Sequence, residues 1–301
     1  MMAITSSLQT RSLVMALSAC IGCTSVAASE ADRGHIALSY QYIRVDGFES
    51  SIGELDIGTT DTHTFSVEVD YKLTDRVSVS VGVPLVTKRY RGGGPHVPSS
   101  IIPPQDDQFI DDGDYHTEVQ DISFGVRYLL TTSPLTIEPF LFYGVPSHDY
   151  PHFAHAAVGQ NLWRVEAGAS FTYLPPLSDF YFRLAPSYTF MEETFGVSID
   201  HWRVHGEVGY LLKPGVSARV FALVKEGDGL DFPEDFPPPR NTEFWFQHDR
   251  MVRHNYVNMG AGVDWQFSER TALSFSALTM VEAEQVHKMD YAFTVGLSRS
   301  F

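Results

Sequence analysis

Twelve histidines and 37 acidic side chains are the groups through which this 301-residue chain could do chemistry. His148, His152 and His155 crowd one polar segment, while His201 and His205 alternate with Arg203 and Glu207. Imidazoles at such spacings can ligate a transition metal. No cysteine or tight four-ligand set accompanies them, so the expectation is no metal and no cofactor. Hydrolysis would require a serine within reach of a histidine base and an orienting group. No outward Ser–His pair is found, and no phospholipase-type serine motif, so the chain is not read as an enzyme. Asp106, Asp107, Asp111, Asp112 and Asp114 form one acidic run. Asp228, Asp231, Glu234 and Asp235 lie beside Phe232, Phe236, Phe244, Trp245 and Phe246. Clustered carboxylates suit calcium, but neither run has EF-hand spacing. Solvated loops are the expectation, with the aromatics either capping the molecule or receiving an apolar solute.

The remaining charges fall at every second residue. Thr64 to Leu73 places Phe65, Val67, Val69, Tyr71 and Leu73 opposite Ser66, Glu68, Asp70 and Lys72. Val77, Val79, Val81, Val83 and Leu85 alternate with Ser78, Ser80 and Gly82, and Trp163 to Tyr173 behaves likewise. A period of two is the pleat of a β-strand. About twelve such segments of about 10–14 residues follow one another. They lie near 34–45, 62–73, 76–90, 119–130, 135–146, 161–174, 179–190, 199–212, 215–226, 254–267, 270–281 and 287–301. Pro84, Pro139 and Pro186 fall inside these segments, where each removes a ladder donor. Short connectors near 73–76, 131–134, 174–179, 213–215 and 268–270 contrast with long ones at 46–61, 91–118, 147–160 and 227–253.

A net charge of −16 excludes a nucleic-acid binder, and only 19% charged residues excludes an acidic disordered chain. The N-terminus has a basic residue, Arg11, an apolar run from Leu13, and the small-residue site Val26-Ala27-Ala28. This reads as a secretory signal, 1–28, removed to leave one domain, 29–301. Leu17-Ser18-Ala19-Cys20 offers the competing reading of a lipidated Cys20. No later run reaches the length of a membrane helix. A soluble sandwich would have shorter strands and a less crowded polar face. The pattern therefore points to an all-β protein: a transmembrane antiparallel up-and-down barrel with short periplasmic turns and long extracellular loops. Its lumen would be lined by Glu68, Asp70, Lys72, Asp121, Arg127, Glu138, Arg164, Glu166, Arg183, Arg203, Glu207, Arg219, Lys225 and Asp264. Seven basic groups face seven acidic ones, either as a rigid salt-bridge network or as a selective constriction. Phe140, Phe142, Phe221 and Leu223 also point inward in this register. Tyr291, Phe293, Val295 and Leu297 alternate towards Phe301, which resembles the C-terminal signal read by the outer-membrane barrel-assembly machinery.

Tyr71 to Pro84 resembles the hairpin of barrels in the MetA-pathway of phenol degradation family. Asp121 to Tyr128 is similar to its next strand, and Asn258 to Asp264 and the Val295-Gly296-Leu297 ending fit as well. The resemblance implies a Gram-negative outer-membrane channel associated with uptake of aromatic or other small apolar compounds. It carries no agreed functional residues. The expected function is passive diffusion of small solutes. A non-conducting structural or surface-interaction barrel is the alternative, and an outer-membrane hydrolase the third reading. Expected partners are membrane lipid, lipopolysaccharide bridged by divalent ions, the assembly machinery and a small solute.

Overall fold

The computed structural model describes residues 32–97 and 108–301. The signal segment, Cys20, and Asp106 and Asp107 lie outside the described residues. Thirteen strands form: β1 (Gly34–Ser50), β2 (Gly53–Lys72), β3 (Val77–Arg91), β4 (His116–Val119), β5 (Asp121–Tyr128), β6 (Leu135–Pro146), β7 (Arg164–Tyr173), β8 (Phe180–Met191), β9 (His201–Lys213), β10 (Val216–Gly227), β11 (Asn255–Gln266), β12 (Thr271–Glu284) and β13 (Val286–Ser300). Apart from β4 and β5, which both pair with β3, each pairs antiparallel with its sequence neighbours, β1 also pairs with β13, and the ring closes. Because β4 and β5 lie end to end along β3, the wall has twelve staves. At the seam Gly34 N–H donates to the Phe301 carbonyl at 2.8 Å, and Phe301 N–H returns the bond at 2.9 Å.

The three prolines each sit at a break or an end of a ladder. The β3–β5 ladder stops at Gly82↔Ser123 and the β3–β4 ladder resumes at Leu85↔Val119, so Pro84 stands opposite the break at Gln120. Pro139 lies one residue past the last β5–β6 pair, Arg127↔Phe140. Pro186 occupies the interruption of the β7–β8 ladder between Gly168↔Ser187 and Phe171↔Leu184. A residue without an N–H is tolerated where no ladder bond is demanded of it.

The alternation resolves into two faces. Phe65, Phe124, Leu141, Leu184, Val220, Phe275 and Val295 are all exposed, and their strand-mates at every second position are exposed or half-buried. Tyr71, Tyr128, Tyr173 and Tyr210 mark the end with short turns, and Tyr143, Trp163, Phe190 and Trp202 mark the other. A continuous apolar belt between aromatic girdles is the surface of a barrel that spans a membrane. Apolar burial is instead concentrated above the belt. Phe48, Phe236, Met251 and Val252 form one cluster there, and Tyr90 packs with Ile110, Ala154, Ala156 and Ala157 in another.

One connection differs from the sequence expectation. Residues 46–61 are not a long loop: β1 and β2 continue through them as a projecting hairpin that turns at Ser51-Ile52. A bulge between Asp46 and Phe48, with Gly47 at φ +74°, hides the alternation there. The last outer connection is also tight, through Gln285 alone. The long outer segments are 92–115, 147–163 and 228–254.

Candidate functional site

Inside the barrel, near the short turns, charged side chains form a ladder of ion pairs across the lumen. Arg127, only 2% exposed, pairs with Asp70 and lies 3.5 Å from Glu68 and 3.9 Å from Glu138. Arg183 reaches Glu207 at 3.8 Å; Arg219 reaches the same carboxylate at 3.4 Å and pairs with Asp264. Phe140, Tyr181 and Phe221 are buried among them. Three guanidiniums thus meet five carboxylates at this level. Higher up, Arg164 pairs with Asp121, and Arg203 lies 3.2 Å from Glu166. Lys225 approaches the Tyr256 ring at 5.9 Å, and Lys72 sits beside Ser78 near the turns. None of the fourteen charged residues expected in the lumen has the exposure of the lipid-facing positions. Phe142 is partly buried under the Arg127 guanidinium, 4.9 Å from its ring centre, and Leu223 is buried.

Above this ladder the outer segments fold inward over a cavity of 530 Å³. One wall is apolar, with Phe48, Phe153, Phe232, Trp245, Phe246 and Val252. The other carries Lys88, His96, His155, Asp249, His254 and His287. The aromatics of 228–254 pack as a cap: Trp245 stacks on His248 at 4.3 Å with 9° between planes, and Phe153 meets Phe246 edge-on at 5.0 Å. Lys88 Nζ donates to the Ala157 carbonyl at 3.0 Å, tying 147–163 to the wall.

Asp111 organises the roof. Its Oδ2 accepts the backbone N–H groups of His96 at 2.9 Å and His155 at 3.1 Å, and its Oδ1 accepts that of Ala156 at 2.8 Å. One carboxylate thereby joins three stretches of chain. Burial pushes its pKa up, but His96 and the backbone donors outweigh this and hold it below the usual range. Burial also pushes the His155 imidazole down to about 4, with His96 adding to the effect. Asp249 is held well below the ordinary carboxylate value despite burial, because His248, His96, His155 and His287 surround it. Burial lowers the His248 value, with Asp249 opposing. His96 is raised: burial lowers it, but Asp111 and Asp249 prevail.

The histidines picked out by spacing do not converge as sets. His148 pairs with Glu118 at 3.0 Å on the outside, and His152 bonds Gln247 at 3.0 Å. Only His155 of that group enters the imidazole cluster. His201 bonds the Ile199 carbonyl and His205 lies against the Phe221 ring. The acidic runs disperse as well. Asp112 bonds His116, Asp231 bonds Arg253, and Asp235 accepts the Asp231 N–H. His96, His248, Asp249, His254 and His287 are absent from the sequence reading: His248, Asp249 and His254 share segment 228–254, but His96 comes from 92–115 and His287 from β13, so no spacing links the three places.

The family model for the MetA-pathway of phenol degradation matches residues 50–224. No curated protein matches the chain. Among solved structures, the COG4313 outer membrane channel from Pseudomonas putida F1 is similar with a TM-score of 0.69 at 13% identity, covering 91% of this chain and 97% of that one. The NanC porin gives 0.52 at 8% identity, covering 88% and 100%. The translocator domain of the autotransporter NalP from Neisseria meningitidis gives 0.51 at 10% identity, covering 90% of each. These are likenesses of fold.

Proposed function

Because this chain belongs to the MetA-pathway of phenol degradation family, we propose that it is a passive channel of the Gram-negative outer membrane for small apolar or aromatic solutes. The observation that carries the reading is the 530 Å³ cavity at the outer end of the lumen, walled by aromatic side chains and imidazoles. A cavity of this volume suits a small ligand, and its apolar wall supplies affinity while its few polar groups orient what enters. Beneath it, the Arg127 and Arg219 ladders with Phe140 and Phe221 would be the constriction that sorts solutes by size and polarity. The buried ladders also favour a second reading, a closed barrel whose loops bind a partner. The outward alternation of Tyr291, Phe293, Val295 and Leu297 ending on Phe301, all exposed, supports their reading by the assembly machinery. The acidic loops would meet lipopolysaccharide through divalent ions.

The test is flux. Vesicles with a lipopolysaccharide outer leaflet, with and without the purified barrel, are given radiolabelled toluene. Faster uptake with protein is expected, slowed when Trp245→Ala and Phe232→Ala remove part of the aromatic wall. Uptake equal to that of protein-free vesicles overturns the channel and leaves the closed barrel.

A further inference from the structure

Two outer segments bring His96, from 92–115, together with His248 and Asp249, from 228–254, one ligating atom from each lying within 4.8 Å of the others. The hydrogen bonds around them leave electron pairs facing inward. His248 Nδ1 bonds the Trp245 carbonyl at 2.9 Å, which requires the proton on Nδ1 and, in the neutral ring, leaves Nε2 as a bare lone pair. That Nε2 lies 3.3 Å from Asp249 Oδ1, so an acceptor faces an acceptor. Asp249 Oδ2 is buried with no hydrogen-bond partner. An arrangement of this kind is repulsive until a cation, a proton or a metal ion, sits between the groups.

The surroundings favour the metal. His96 Nδ1 lies 3.5 Å from Asp111 Oδ2 without a hydrogen bond, near enough that a small turn of the ring would make the carboxylate–imidazole bond that orients a metal-bound histidine. Asp111 is itself fixed by three backbone N–H groups. The Trp245 ring, stacked on His248, holds the second imidazole in plane. Two imidazoles and one carboxylate, with the remaining side open to the cavity, form an open three-ligand set suited to zinc and its neighbours. Metal–ligand bonds of about 2.0–2.2 Å set tetrahedral ligand atoms about 3.3–3.6 Å apart. The Nε2–Oδ1 pair at 3.3 Å already fits, and the remaining separations, none above 4.8 Å, need close by no more than about 1.5 Å.

We propose that His96, His248 and Asp249 bind a divalent transition-metal ion of the zinc class in the roof of the cavity. The ion would fasten segment 92–115 to segment 228–254. The site is independent of whether the barrel conducts.

The test uses the full mature protein in detergent, freed of any histidine tag and stripped with chelator, titrated with Co²⁺ and read by visible absorption and by bound metal. One ion per barrel is expected, with the intense ligand-field bands of a four- or five-coordinate centre. Binding should be lost in His248→Ala and Asp249→Asn, and weakened about 10–100-fold in Asp111→Asn, whose side chain orients a ligand. His148→Ala, on the outside, should bind as the parent does. Retention of the gel shift between boiled and unboiled samples shows that each variant keeps its barrel. Absence of stoichiometric binding to the parent, or unchanged binding after His248→Ala and Asp249→Asn, overturns the proposal.

Discussion

Asp111→Asn should loosen the roof without touching the wall. The carboxylate is 6% exposed and accepts three backbone N–H groups with two oxygens. An amide keeps one oxygen. In its better orientation the carbonyl retains His96 and His155, while the new NH₂ points at the Ala156 N–H. A buried donor left without a partner costs about 1–3 kcal/mol, and the two surviving bonds lose their charge assistance, about 1 kcal/mol each. The local opening free energy therefore falls by at least about 3 kcal/mol, or about two orders of magnitude in exchange rate. Hydrogen exchange by mass spectrometry, with chelator present, should show peptides over 92–97 and 153–157 exchanging that much faster. Peptides within β7 should be unchanged, because its ladders to β6 and β8 are separate from the roof. Unchanged exchange in the roof, or acceleration spread over the wall, would refute the role given to Asp111.

Arg127→Met leaves Glu68, Asp70 and Glu138 crowded without their guanidinium, and unfolding in urea should show a loss of about 3–5 kcal/mol; a shift below 1 kcal/mol would mean that water already screens the cluster. Leu141→Arg, on the lipid face of β6, should destabilise the refolded barrel by about 2–4 kcal/mol in phospholipid vesicles, whereas an unchanged midpoint would move that position out of the hydrocarbon. Phe301→Ser keeps the backbone bonds to Gly34 but removes the exposed terminal ring. Its amount in outer-membrane fractions should drop while its refolding in detergent stays normal, and equal amounts would remove the ring from the assembly signal.

The wall was readable because its two surroundings differ so sharply. Lipid on one side and packed charges on the other impose a period of two on β2, β3 and β7, and that period survives in the residues themselves. Pro84, Pro139 and Pro186, which look inconsistent with strands, sit where ladders stop. The projecting β1–β2 hairpin was obscured because Gly47 and Gly58 break the alternation; Gly58, at φ +91°, would place a Cβ 2.5 Å from the Arg91 carbonyl oxygen. The roof was opaque for a different reason. His96, His155 and His248 are brought together by Asp111 and by aromatic packing, and neither leaves a spacing to read. Register alone placed the charges on one face of the strands, but it could not name their partners. Seven against seven suggested neutrality, whereas the innermost ladder holds five carboxylates for three guanidiniums.

The seam between β1 and β13 sets the order in which this molecule can be completed. Apart from β3 with β5, every other ladder in the wall joins strands that are neighbours along the chain, so hairpins can form locally and early. The Gly34–Phe301 bonds join the two extremes of the described chain, the slowest kind of closure. Until it forms, two long strands offer unpaired backbone to any other chain nearby. A fragment lacking β13 would keep most of its side-chain contacts and still have two raw edges. The hazard in this protein's biogenesis is therefore concentrated in the interval before its last strand docks, and a chain stalled there should clump rather than unfold.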